Sequence, residues 1–169
     1  VSNPEESVSN PESQPESNPE SSTGSTRYDL LDPTSSQIGQ EGATVELSQV
    51  VMMSPASRLT ATLDLFFVQE PQARQGSYRY GGSAVVFERD KIQLGTLSVG
   101  SRIAIKGRFT RYRTVDWAAN CTTDADCKDA QKSRCSDVFD KKTSAVVKRC
   151  ATPVSVPQIE LSQTPSVVS

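Results

Sequence analysis

Alternation of apolar and polar residues with a period of two runs through the middle of this chain and constrains its fold more than any other feature. The pattern occurs in ATVELSQVVMM (43–53), LTATLDLFFVQEP (59–71), GGSAVVFERD (81–90), SRIAIKGRFTRYRTV (101–115) and VPQIELSQTPSVV (156–168). Successive side chains of a strand point to opposite sheet faces, so this period predicts half-buried strands. We therefore expect an all-β protein with five principal strands.

Two adjacent phenylalanines in the second predicted strand must point to opposite faces of the sheet. Phe67 shares its parity with Leu63 and Leu65, which assigns Phe67 to the core. Phe66 shares its parity with Asp64 and is assigned to the more polar outer face. There it is a candidate for stacking a base or a sugar ring, and the alternative is that it packs beneath another segment of the chain.

The first quarter of the chain differs in composition from the rest. Residues 1–26 repeat the unit NPE at Asn3, Asn10 and Asn18 and contain almost nothing apolar, so they cannot offset the entropy of ordering. We predict a disordered, acidic Pro/Ser/Glu-rich linker over 1–37 and a folded domain over 38–169. The linker serves either as a spacer or as a solvated tail without a role.

Charge is divided between the same two regions. Residues 1–41 contain eight acidic residues and one basic residue, a balance of −7, whereas residues 42–169 contain twelve acidic and seventeen basic residues, a balance of +5. The net charge of −2 thus combines an acidic tail with a basic domain. A basic domain favours anionic partners.

All four cysteines lie between residues 116 and 150, where the strand pattern stops. An even and clustered count predicts two disulfides and an oxidising compartment. Of the three possible connectivities we expect Cys121–Cys135 and Cys127–Cys150, because the polar run with two aspartates between Cys121 and Cys127 would be crowded by a tight bridge. The spacings fit neither the C-x-x-C pairs of zinc sites nor an EF-hand calcium loop.

The chain has no histidine, which removes imidazole catalysis and Ser-His-Asp triads. It also has no glycine-rich phosphate loop and no nucleophilic serine flanked by glycines. We therefore predict that the protein is not an enzyme and that it uses no cofactor and no metal.

Four segments together resemble the OB-fold modules of exported bacterial proteins, often found beside secreted nucleases. The segments are VELSQVVM (45–52), LFFVQEPQ (65–72), GSAVVFE (82–88) and LSVGSRIAIKGRFTRYR (97–113), and the likeness covers roughly 38–114 and the last strand. It implies a five-stranded Greek-key barrel, with 116–150 as a disulfide-stapled insertion between strands four and five. Ser101 and Arg111 depart from the acidic residues usual in the family at their positions.

In an OB-fold the connection that contains this insertion flanks the ligand groove, so the insertion is placed to cover, extend or replace the binding loop. Aromatic and basic residues near that groove are the candidate ligand-binding set: Phe66, Tyr78, Arg79, Tyr80, Lys106, Arg108, Arg111 and Arg113. Such residues suit a single-stranded nucleic acid or an anionic polysaccharide. The alternatives are tyrosines that cover the barrel mouth, and a charged row that protects an edge strand or binds the acidic tail.

The function we expect is a non-catalytic, exported binding module for an anionic polymer, with nucleic acid ahead of polysaccharide. The alternative is a structural or interaction lipoprotein whose cysteine-rich insertion docks a protein partner. The cysteines favour an extracellular or cell-envelope location. No run in the chain is apolar over the length of a bilayer, and a signal or lipid anchor upstream of Val1 stays open.

Overall fold

The computed structural model describes residues 26–168, which form one short α-helix, one 3₁₀ turn (Asp124–Asp126) and ten strands. The helix is α1 (Arg27–Leu31). The strands are β1 (Thr44–Met52), β2 (Ser57–Arg58), β3 (Leu63–Gln69), β4 (Gly82–Glu88), β5 (Arg102–Tyr112), β6 (Val115–Asn120), β7 (Arg134–Asp140), β8 (Ala145–Ala151), β9 (Val156–Leu161) and β10 (Ser166–Val167). Within these residues no helix is long and apolar enough to span a bilayer.

Seven strands form a large, partly closed sheet. Its order is β1-β3-β4-β9-β5-β10, β2 pairs with β3 at one side, and β1 also pairs with β5. The β4–β9 pair is parallel, whereas the other pairs of this sheet are antiparallel. The all-β prediction is confirmed, and each of the five predicted strands contains one long strand. The strand predicted over 156–168 is divided into β9 and β10, and the short strand β2 was not predicted.

The core of the large sheet comes from the inward residues of its five long strands. Val50, Phe66, Val85, Ile103 and Ile159 are wholly buried in it. The sheet curves so tightly that a Cβ atom at position 107 of β5 would collide with the backbone of Glu160 on β9, so this position requires glycine.

The prediction for the two phenylalanines was wrong. Phe66 is fully buried, with its ring centroid 6.0 Å from that of Phe87, whereas Phe67 is 50% exposed. Leu63 and Leu65, on which the prediction rests, lie with Phe67 on the outer face and are only half-buried. The outer face of β3 is therefore apolar, and Phe66 is not a ligand platform.

The linker prediction over 1–37 needs a correction for the part that the structure describes. Within 26–37, α1 packs against the domain: Tyr28 and Leu30 are buried, and the Tyr28 hydroxyl donates to the carbonyl of Gln72 over 2.8 Å. Arg27 is wholly buried, and burial lowers its pKa to about 10 against the opposing effect of Glu70. The packed domain thus begins at α1, and residues 1–25 lie outside the described residues.

The segment 116–150 forms a second sheet rather than an irregular loop, in the order β6-β8-β7. Cys121 is bonded to Cys135 and Cys127 to Cys150, with Cα–Cα distances of 5.8 and 5.5 Å. Both predicted disulfides are confirmed. We call this three-stranded unit the stapled sheet.

Candidate functional site

The predicted basic row on β5 lies at the junction of the two sheets, and its cations are held by the protein itself. Lys106 pairs with Glu46 over 3.0 Å, and Arg113 pairs with Glu41 over 3.2 Å. The Arg108 guanidinium lies 3.8 Å from the centre of the Phe139 ring, which belongs to the stapled sheet. Lys106 and Arg113 are therefore neutralised within the protein, whereas Arg108 keeps its charge and lies against an aromatic ring of the stapled sheet.

Arg111 is engaged in the same region. Its backbone N–H donates to the Glu41 carboxylate over 3.0 Å, and its side chain donates to the Gly39 carbonyl over 3.4 Å. Glu41 is buried, and the loss of hydration raises its pKa against the opposing effect of Arg113. Arg108 and Arg113 thus brace the two sheets, because Arg108 lies on the Phe139 ring and Arg113 also donates to the carbonyl of Asp137 on β7. The contacts of Arg111 stay outside the stapled sheet.

Tyr78, Arg79 and Tyr80 lie on a different element, the turn between β3 and β4. Tyr78 is 50% exposed, and the Arg79 guanidinium stacks 4.8 Å from the centre of the Tyr80 ring. Tyr80 has a φ of 66°, in the left-handed region that a tyrosine seldom adopts. Because Phe66 is buried behind this turn in the core of the sheet, the predicted aromatic set does not form one surface.

An aromatic groove on the stapled sheet was missed by the sequence analysis. Its volume is about 510 Å³, and its lining residues are Trp117, Phe139, Asp140, Lys141, Lys142 and Arg149. Three cations and one carboxylate give this lining a net charge of +2. We call it the Trp117 groove.

The backbone of β6 and β8 explains why Trp117 points outward. Their pairing shifts register between Asp116 and Asn120, and this irregularity leaves Trp117 51% exposed. Arg149 on β8 donates from Nε to the carbonyl of Trp117 over 3.1 Å and from Nη1 to the carbonyl of Lys148 over 2.8 Å. The guanidinium is thereby held at the backbone of Trp117, and both residues line the groove.

The three cations of the groove differ in how much charge they present. Lys141 is neutralised by Glu160 of β9, with Nζ 2.6 Å from the carboxylate. Lys142 and Arg149 have no carboxylate within ion-pair distance among residues 26–168. These two side chains carry the positive charge that a ligand in the groove would meet.

A second open surface lies on the outer face of the large sheet. It is an apolar cleft of about 410 Å³ in which Phe67, Met53 and Val156 are each about half exposed. Ala84 and Pro157 complete its floor. No charged side chain is among its lining residues, so this Phe67 cleft suits an apolar group rather than a polyanion.

One sequence signal for the Trp117 groove was available. Trp117 is the single tryptophan of the chain, and it lies in a polar stretch where a core residue is not expected. Its meeting with Arg149, thirty-two positions later, depends on the pairing of β6 with β8, which the sequence pattern did not predict.

Three sulfur atoms of the stapled sheet, those of Cys121, Cys127 and Cys150, lie within 4.8 Å of one another. All three are disulfide-bonded, so they offer no thiolate to a metal ion in the oxidised protein.

Comparison with known proteins gives no relative from which a function can be carried over. No match to this chain was found among protein-family models, curated protein sequences or solved structures.

Proposed function

We propose that the large sheet is an OB-fold barrel. The support is its order of pairing: β1, β3, β4, β9 and β5 follow one another and β5 pairs again with β1, with β4 and β9 parallel. This order agrees with the five-stranded Greek-key barrel that the proposal requires, and β2 and β10 would be additions to it. The stapled sheet then occupies the connection between barrel strands four and five.

We further propose that the protein is a non-catalytic, exported binding module for a single-stranded anionic polymer, with nucleic acid ahead of polysaccharide. The observation that supports this proposal is the Trp117 groove, whose lining contains an exposed indole together with Lys142 and Arg149. The β5 row is a weaker candidate, because Lys106 and Arg113 are ion-paired and the Arg108 guanidinium lies against the Phe139 ring. The two disulfides support an oxidising compartment.

Two contributions to binding follow from this geometry. A base stacked on an aromatic side chain contributes about 1–3 kcal/mol. The logarithm of the affinity falls linearly with the logarithm of the salt concentration, with a slope of about −0.7 for each phosphate neutralised on a single strand. Two free cations therefore give a slope of about −1.4. Binding is thus expected to be weak and to fall with salt.

The experiment uses Trp117 as its own reporter, because it is the only tryptophan in the chain. The intrinsic fluorescence of the full chain is titrated with a short oligo-dT strand, with heparin and with a neutral glycan at two salt concentrations. Quenching by oligo-dT that weakens with salt supports the proposal, and quenching by heparin alone moves the ligand class to polysaccharide. No quenching by either polyanion overturns the proposal.

Matched variants localise the site. Lys142→Glu is expected to lower the affinity about tenfold, because the free cation becomes an anion. Lys128→Glu makes the same charge change on an exposed lysine outside the groove lining and is expected to have a smaller effect. Equal losses in the two variants would indicate general electrostatic attraction instead of a groove.

A second candidate function is docking of a protein partner, and the Phe67 cleft favours it. Three half-exposed apolar side chains around one cleft are the usual mark of a surface that another molecule covers. An array of apolar peptides probed with the wild-type protein and with Phe67→Asp tests this candidate. Peptides bound by the wild type alone support docking, and identical patterns for the two proteins contradict it.

A further inference from the structure

The two disulfides of the stapled sheet are close enough to react with each other. The Sγ atoms of Cys121 and Cys150 belong to different bridges, yet they lie within 4.8 Å of each other and of the Sγ atom of Cys127. Disulfides rearrange by attack of a thiolate on a neighbouring disulfide sulfur, so proximity of this kind lets one bridge open the other.

Burial divides the four cysteines into two pairs. Cys121 and Cys150 are buried, with 8% and 2% of their surface exposed, whereas Cys127 and Cys135 are partly exposed. Each bridge therefore joins one buried cysteine to one accessible cysteine. A thiol from solution reaches Cys127 or Cys135 first, and in either case the leaving group is a buried thiolate.

We propose that the two bridges form one coupled redox unit, in which mild reduction by a dithiol converts both of them into a single buried bridge between Cys121 and Cys150. If the dithiol attacks Cys127, the thiolate released at Cys150 attacks Cys121, forms the new bridge and expels Cys135 as a thiolate. If the dithiol attacks Cys135, the thiolate released at Cys121 attacks Cys150 and expels Cys127. Both routes give the same product.

The electrons and atoms balance in each route. The second thiol of the reductant attacks its own sulfur in the mixed disulfide, leaves as a cyclic disulfide and frees the accessible cysteine as a thiolate. One dithiol is oxidised, and Cys127 and Cys135 are reduced and take up two protons. The new bridge joins the two buried positions, so it is shielded from further attack and the two-thiol species accumulates.

The rearrangement separates two parts of the stapled sheet. Residues 122–134 lose both covalent anchors, since their bridges ran through Cys127 and Cys135. The new bridge joins the end of β6 directly to β8, the two strands that carry Trp117 and Arg149. The Trp117 groove is thus expected to survive mild reduction and to be lost only when the last bridge is reduced; this expectation rests on the proposed function.

Disulfide mapping tests the coupling independently of any ligand. The native full-length protein is treated with one equivalent of dithiothreitol, quenched with acid, labelled at its free thiols and digested without reduction. The expected two-thiol species carries labels on Cys127 and Cys135 and contains a Cys121–Cys150 peptide. Labels on Cys121 with Cys135, or on Cys127 with Cys150, would show that each bridge reduces alone and would overturn the proposal.

Two controls sharpen the mapping. In urea the sulfur atoms are no longer held together, so the preference for Cys121–Cys150 is expected to disappear. The variant Cys127→Ser/Cys135→Ser is expected to form the buried bridge on oxidation and provides the reference peptide; if it does not fold, the wild-type mapping remains decisive. The last measurement is binding of oligo-dT to the two-thiol species. An affinity within about twofold of that of the oxidised protein supports the survival of the Trp117 groove. Loss of binding while the new bridge is present contradicts the survival of the groove but not the coupling of the two bridges.

Discussion

The two sheets of this protein are stabilised in different ways. The large sheet encloses a continuous apolar cluster to which α1 and all five long strands contribute. In the stapled sheet, between Val115 and Ala151, the buried apolar residues are Val138, Ala151 and the two inner cysteines. Burial of apolar surface holds the first sheet, whereas the second is too small for a core of its own and depends on cross-links and on its junction with the first.

This difference explains why the mixed aromatic and cationic groove lies on the stapled sheet, whereas the large sheet exposes the apolar Phe67 cleft. A strand that supplies a core must turn every second side chain inward, which leaves only its outer face free. The stapled sheet has little to bury, so an indole and two cations remain on its surface. The part of the molecule held by covalent bonds can therefore expose the aromatic and cationic side chains of the proposed site at little cost in packing.

The largest expected effect comes from the core of the large sheet. Phe66→Ala removes a fully buried ring and is expected to lower the free energy of unfolding by about 4 kcal/mol. Phe67→Ala is the matched control, the same change one residue away on the exposed face, and is expected to cost less than about 1 kcal/mol. Urea unfolding measures both, and equal losses would contradict the assignment of the two faces.

The same pair of residues shows how far sequence patterns reach. Alternation placed the five long strands, because a period of two follows directly from strand geometry. Alternation did not show which face of β3 points to the core, because apolar residues occur on both faces of LDLFFVQ. The pairing of β3 with β4 is needed to decide between the two faces. Leu63 and Leu65 are half-buried on the outer face and Phe67 lines the cleft there, so apolar residues on a surface imitated the core pattern.

The second effect lies at the junction between the sheets. Arg113→Met leaves the buried carboxylate of Glu41 without its ion-pair partner and is expected to cost about 3 kcal/mol. Lys106→Met breaks an ion pair whose side chains are both more than 40% exposed and is expected to cost less than about 1 kcal/mol. Urea unfolding compares them, and hydrogen exchange is expected to rise at the junction in Arg113→Met alone. A smaller loss in Arg113→Met than in Lys106→Met would exclude a bracing role.

The third effect is confined to the stapled sheet. Cys127→Ser/Cys150→Ser removes the bridge that closes 23 residues of sequence separation and is expected to destabilise this sheet by about 2–3 kcal/mol. Hydrogen exchange is expected to rise in β6, β7 and β8 and to stay unchanged in β3 and β4. An equal rise of hydrogen exchange in both sheets would mean that they unfold as one unit, and it would contradict the difference in how the two sheets are stabilised.

The candidate site was less predictable than the fold for a physical reason. The basic row on β5 was correctly placed on a strand, but a sequence does not show which cations are already paired, and Arg113 meets its partner Glu41 across more than seventy positions. The disulfide pairing was predictable because only three connectivities existed. The Trp117 groove depends on a register shift between β6 and β8, and no local pattern encodes that shift.

The smallest expected effect concerns two carboxylates, Asp64 and Glu41, whose contributions to stability are expected to change in opposite directions as pH is varied. In the large sheet, the hydrogen bond from Arg89 lowers the pKa of Asp64 below its ordinary value of 3.8, so its stabilising contribution is present above that value and is lost as pH falls through the folded-state pKa. At the junction, burial raises the pKa of Glu41 above 4.5, so its contribution is greatest below that value and is lost as pH rises through the folded-state pKa. Urea midpoints between about pH 3 and pH 7 are expected to show Asp64→Asn approaching the wild type as pH falls, and Glu41→Gln gaining on the wild type as pH rises. Parallel profiles for the two variants would show that the junction carboxylate is as well hydrated as the surface one, and that the brace between the sheets is not a buried contact.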